Sequence, residues 1–147
     1  MLQYRTESLA KRLYANNVTA DCAVELVEVG NEDVPGYLPD PLPDPLPLVR
    51  TARSGIAVRT RCPDFGNVAV EIWAGDPGPR PPGWDVIFDD RLETKANGFD
   101  ATDGAGPIFH LNAAQGTHRV RAETRRDDAG RVDAVRFIFP DGADVTA

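Results

Sequence analysis

The chain is poor in the residues from which most catalytic sites are built. Histidine occurs only as His110 and His118, cysteine only as Cys22 and Cys62, and serine only as Ser8 and Ser54. Neither serine lies in a GxSxG elbow, and no thiol has a histidine and an acid at hand, so no nucleophilic triad can be drawn. There is no CxxC pair and no glycine-rich phosphate cradle. No apolar run approaches the roughly 20 residues of a membrane helix. Met1 to Arg5 lacks the apolar stretch of a secretory signal, which makes a cytoplasmic location the default expectation. Positive charge is scarce as well. Lys+Arg number 16 against 23 Asp+Glu, for a net charge of -7. Binding to duplex phosphates needs a basic face, so nucleic acid is not expected as a direct partner. Lysine is nearly absent, with Lys11 and Lys95 beside fourteen arginines. We read that skew as GC-rich coding bias, which weakens any argument from the choice of a single arginine.

What is present describes one globular domain, residues 1–147. Hydrophobic residues make up 41% of the 147 residues, and a chain of this size buries roughly two-thirds of its unfolded surface. Six of the 13 prolines fall in 34–48, VPGYLPDPLPDPLPL, at alternate positions. That spacing forbids helix and central strand and favours an extended path. It reads as a stiff loop across the end of a sandwich, with a PxxP ligand as the alternative. A second loop, 75–83, reads GDPGPRPPG.

Between turn signals such as Asn97-Gly98 and Gln115-Gly116 lie seven short alternating segments: 20–29, 56–62, 67–74, 84–93, 108–112, 117–125 and 132–139. In 67–74, Val68, Val70 and Ile72 share one face and Glu71 takes the other. In 84–93, Val86, Phe88 and Leu92 group together. In 117–125, Val120 and Ala122 face inward, and Arg119, Arg121, Glu123 and Arg125 outward. Period-two patterning with one wet face predicts an all-β fold, an antiparallel two-layer β-sandwich of about seven to eight strands with two proline-rich loops. The first sixteen residues are ambiguous. Leu2 to Thr6 suits an edge strand, and Ser8 is placed to cap a helix running to Ala15.

Several side chains invite a functional reading. His110 and His118 lie on segments expected to form a hairpin, and a third ligand would turn them into a metal site; the alternative is two rim histidines. Cys22 and Cys62 are expected as free thiols packed like small hydrophobes, with a redox pair as the alternative. Asp89 and Asp90 point to opposite faces of a strand and cannot share a proton. Asp127 and Asp128 read as a hairpin turn. Arg119, Arg121, Arg125 and Arg126 make either an anion-binding stripe or a row paired with acids such as Glu71 or Asp133. Trp73 and Trp84 flank the second proline-rich loop, as an exposed aromatic anchor or as a plug for the sandwich end.

From Ser54 onward the pieces Ser54-Gly55-Ile56, Val68-Ala69-Val70-Glu71-Ile72, Trp84-Asp85-Val86, Phe109-His110-Leu111 and Gly116-Thr117-His118-Arg119-Val120-Arg121 follow one another, closing with Arg131 to Pro140. This series resembles a group of small bacterial β-sandwich proteins, frequent in actinobacteria and similar to competence protein J, the inhibitor of a DNA-entry nuclease. The chain departs from the pattern at His118, where the group has an aromatic, and at Phe139, where it has Trp. The resemblance carries no catalytic residues with it.

Charge, the missing catalytic constellation and the resemblance together predict a non-enzymatic binding protein without a cofactor or metal, monomeric or homodimeric. An acidic inhibitor or immunity-type protein for a basic partner, such as a nuclease or toxin, fits this description, because an acidic face steers a cationic partner. Asp40, Asp44, Asp76 and Asp85, in or beside the proline-rich loops, are the candidate contacts, with Trp73, Trp84, Arg119 and Arg121. The alternatives are a small-molecule or carbohydrate-binding sandwich using the tryptophans, and a metal-dependent enzyme using His110 and His118.

Overall fold

The computed structural model describes residues 10–30, 48–142 and 144–147. Eleven strands run through them: β1 (Lys11–Val18), β2 (Ala23–Glu28), β3 (Val49–Ala52), β4 (Gly55–Arg59), β5 (Val68–Ala74), β6 (Trp84–Thr94), β7 (Gly98–Thr102), β8 (Pro107–Ala113), β9 (Gly116–Arg126), β10 (Val132–Phe139) and β11 (Val145–Thr146). One sheet has the order β1-β5-β10-β9-β6 and the other β11-β8-β7-β2-β4-β3. The alternation that predicted each strand also supplies the reason for two layers. Val68, Val70, Ile72, Val120, Ala122, Val135, Phe137 and Phe139 from the first sheet meet Val24, Leu26, Ile56, Val58, Phe99 and Leu111 from the second in a single buried core.

All seven segments expected from the sequence are strands. The further strands are short or weakly patterned; β1 stands where a helix to Ala15 was the alternative, and the edge strand expected at Leu2–Thr6 lies outside the described residues. β1 pairs with β5 from Lys11 to Val18, which gives its backbone a partner along its whole length. One pair departs from the antiparallel expectation, since β5 and β10 run parallel in the middle of the first sheet. The second proline-rich loop falls at 75–83, between β5 and β6, as its composition requires. The first, 34–48, lies outside the described residues apart from Leu48.

Three expectations need correction. Cys22 and Cys62 are not free thiols but a disulfide. β2 and β4 are antiparallel neighbours with Ala23 opposite Arg59. The residues just before β2 and just after β4 therefore meet at the same end, with the two Cα atoms 4.1 Å apart. Val86 does not group with Phe88 and Leu92. A β-bulge between Val86 and Phe88 shifts the register against β9. An extra residue in a strand reverses the facing of those before it, so Val86 is left 39% exposed while Leu92 is buried. Finally, β8 and β9 are not hairpin partners. They belong to different sheets, so the chain crosses between the layers after Ala113 and separates His110 from His118.

Candidate functional site

The outward face of the β1-β5-β10-β9-β6 sheet gathers most of the singled-out residues. Register sets them in rows. Arg136 on β10 lies between Glu71 on β5 and Glu123 on β9, and Glu123 lies opposite Val86 on β6. In the next row Ile138 sits between Trp73 and Arg121. On the other side Arg125 lies between Ala134 and Trp84. Trp73, Trp84, Arg119 and Arg121 thus share a face because each has the parity of its strand that points away from the core. Asp85 is exposed at the start of β6. Asp40 and Asp44 lie outside the described residues.

At the centre of this face is a carboxylate that alternation placed outside in the wet. Glu123 is on the outward face, yet it is fully buried. Its Oε1 accepts from Arg136 Nε at 2.6 Å and its Oε2 from Arg121 Nε at 2.8 Å. Arg80, from the 75–83 loop, brings Nη1 to 3.9 Å of Oε2. Asp76 of the same loop forms a two-pronged pair with Arg121, at 3.0 and 3.2 Å. The proline-rich loop is therefore anchored over the sheet face by ion pairs to neighbouring arginine and glutamate side chains. Ile138, on the same face, is fully buried. Burying a charge is costly unless partners and hydrogen bonds compensate, and here two guanidiniums compensate one carboxylate. The hydrogen bond to Arg121 holds the Asp76 carboxyl below the usual carboxylate range, and its own pairing raises the Arg121 guanidinium.

The tryptophans are neither core plugs nor free platforms. Trp73 Nε1 donates to Glu71 Oε1 at 2.8 Å. The Trp84 ring lies 4.8 Å from the Arg136 guanidinium carbon and 5.6 Å from that of Arg125. Indole faces attract cations in this way. Both rings are half-buried on the outward face rather than at an end of the sandwich.

The arginine stripe is paired. Arg119 meets Asp89 through Nε and Nη2 at 3.1 and 3.2 Å, and that hydrogen bond raises its pKa. Arg125 meets Asp133 at 3.1 Å, and Arg126 donates to Gly130 O at 2.7 Å. Among the described residues no strand pairs with the outer edge of β6. β6 is the last strand of its sheet. Its far end is tied to the β3–β4 turn by Glu93 N donating to Arg53 O. The near half carries exposed Asp85, Val86, Asp89 and Asp90.

The histidines do different things. His110 is exposed, and its Nδ1 lies 2.9 Å from Asp100 Oδ1 and its Nε2 3.1 Å from Asn112 Oδ1. The Asp100 hydrogen bond raises its pKa. His118 donates from Nε2 to Ala114 O at 2.6 Å and sits edge-on to Phe99 and Phe139. Its ring thus stands on the Val120 side of the strand, at the rim of the core. Among the described residues no three His, Cys, Asp or Glu side chains converge as a metal site.

Against this geometry the comparisons are brief. No protein-family model and no curated protein sequence matches the chain. A solved structure does. The chain is similar to ComJ from Bacillus subtilis, described as the inhibitor of the DNA degrading activity of NucA, with a TM-score of 0.65 and 7% identity over 89% of this chain and 97% of that one. The likeness is one of fold, a β-sandwich matched along nearly its whole length. Sequence reasoning missed Glu123, Arg136, Arg80 and the acidic edge of β6. The signal for the first two was available in the alternation, which puts Arg136 and Glu123 on outward parities of adjacent strands. Their register and the loop that covers them were not.

Proposed function

We propose that the chain is a non-enzymatic binding protein of inhibitor type, whose partner is a basic protein such as a nuclease. The observation that carries the reading is the near half of β6. It is a sheet edge that carries the exposed Val86 and the exposed carboxylates of Asp85 and Asp90, with Asp89 paired to Arg119, next to the half-buried Trp84. An apolar centre rimmed by charge is the usual anatomy of a protein interface, and an open edge offers backbone groups to a partner strand. The net charge of -7 steers a cationic partner toward it. The fold it shares with ComJ, described as an inhibitor of NucA, supports the inhibitor class. The test is calorimetric titration against a purified basic nuclease. Binding that weakens with salt and is lost in Asp85→Lys/Asp90→Lys supports the reading. Binding unchanged by that double reversal removes the edge from it, and no binding at low salt removes the function.

A further inference from the structure

A groove at the end of the sandwich lies apart from the β6 edge. It has a volume of about 260 Å³ and is lined by Arg59, Arg61, Arg126 and Arg131, with Phe65 and Cys62 among its other walls. Four arginines line this one small groove in a chain of net charge -7. Elsewhere Arg53, Arg80, Arg119, Arg121, Arg125 and Arg136 each meet a carboxylate. Among the described residues only Arg61 of these four has a carboxylate, with Nη1 3.3 Å from Asp127 Oδ2, and its Nε also donates to Asn67 O. Arg126 spends one donor on Gly130 O. Arg131 lies with its guanidinium carbon 3.8 Å over the ring of Phe65, which is itself 52% exposed. The Arg59 side chain has no hydrogen-bond or ion-pair partner among the described residues.

The groove is also rigidly framed. The Cys22–Cys62 disulfide closes one wall, Arg61 N donates to Val132 O across to β10, and Thr60 N donates to Cys22 O. The Asp127 turn below it is locked by Ala129 N and Arg131 N, both donating to Asp127 Oδ1. The bond from Arg131 N holds the Asp127 carboxyl below its usual range, so it stays charged for Arg61. Among the described residues, Arg59, Arg126 and Arg131 have no carboxylate within ion-pair distance, on a fixed frame. Forked donors of this kind match phosphate oxygens; Arg131 occupies one face of the Phe65 ring, and the exposed ring has its other face for stacking. The volume lies just under the roughly 300–1,000 Å³ of drug-sized pockets, which suits a small ligand.

We propose that this groove binds a phosphate-bearing small molecule of nucleoside monophosphate size, its phosphate on Arg59, Arg126 and Arg131 and its base against Phe65. This site is separate from the edge of β6 and stands whether or not that edge binds a nuclease.

The experiment is a two-dimensional amide NMR titration of the oxidised chain with sodium phosphate, adenosine and adenosine 5′-monophosphate. The expected result is saturable shifts around Arg59, Phe65 and Arg131, tighter for the monophosphate than for phosphate, and none with adenosine. Arg59→Gln and Arg131→Gln each weaken binding about tenfold, Phe65→Ala weakens the monophosphate but not phosphate, and Arg119→Gln on the other face has no effect. All four side chains are exposed, and an unchanged melting temperature confirms that each variant folds. No saturable shift below about 10 mM would overturn the proposal. So would arginine variants that titrate like the parent, or an Arg119→Gln loss as large as theirs, which marks diffuse attraction only. Equal affinity for phosphate and the monophosphate would overturn the nucleotide assignment.

Discussion

Removing the Glu123 carboxylate is the most severe single change the outward sheet face predicts. In Glu123→Leu, Arg136 keeps a side chain only 7% exposed and loses the partner at 2.6 Å, while Arg121 retains Asp76. Arg136 already has one buried nitrogen, Nη2, without a hydrogen bond. Stripping the remaining charge partner from a buried ion costs about 3–5 kcal/mol. For a domain of this size roughly 1 kcal/mol moves the melting temperature by about 3 °C, so the expected drop is about 10–15 °C. Arg136→Met should also be strongly destabilising, because it leaves Glu123 buried with Arg121 and the distant Arg80. The double variant Glu123→Leu/Arg136→Met removes both ions and should recover most of the loss, since apolar replacement of a buried pair is often neutral. A double-mutant cycle by urea unfolding under non-reducing conditions should give a coupling of about 2 kcal/mol or more. Additive losses, or a single-variant cost below about 1 kcal/mol, would refute the claim that this pair is buried and mutually dependent.

Three further outcomes follow from the same structure. The disulfide closes a loop with a sequence separation of 40; the chain-entropy relation gives about 4 kcal/mol of stability, so Cys62→Ala or a reductant should lower the unfolding midpoint by up to that amount, and thiol titration of the unfolded, unreduced chain should find no free thiol. Because Asp100 raises the pKa of His110, the pair adds stability below the unfolded value near pH 6.5 and loses it as pH rises through the folded value. His110→Gln should therefore flatten the stability profile between about pH 6 and 8, by less than about 1 kcal/mol for so exposed a group. The lowered Asp76 carboxyl works in the opposite sense, stabilising above the unfolded value near pH 3.9 and losing its contribution as pH falls through the folded one. Trp84 fluorescence should report the 75–83 loop loosening in that acid range, and Asp76→Asn should show the loosened signal at neutral pH.

The architecture was legible because period-two alternation is a local property. Val68, Val70 and Ile72, or Val135, Phe137 and Phe139, declare their buried face without knowing their neighbours. Properties that depend on register were not legible. Glu123 reads as a wet residue until the 75–83 loop is folded over it, and Val86 reads as core until the bulge turns it out. The pairing of Cys22 with Cys62 follows from the adjacency of β2 and β4, which no spacing in the chain reveals. The same holds for the histidines: the Gln115-Gly116 turn looks like a hairpin, but the chain uses it to change sheets. Of the candidate site residues, Trp73, Trp84, Arg119 and Arg121 share one face because each has the outward parity of its strand, and Asp76 joins them from the 75–83 loop through its pair with Arg121.

The most direct test of the inhibitor reading is the rate of DNA degradation by a purified basic nuclease, titrated with this chain at about 0.05 M and about 0.5 M salt. The account predicts stoichiometric suppression at low salt, weaker suppression at high salt, and none by the Asp85→Lys/Asp90→Lys variant. A degradation rate unchanged by about a tenfold excess of the chain at low salt, where steering is strongest, would contradict it.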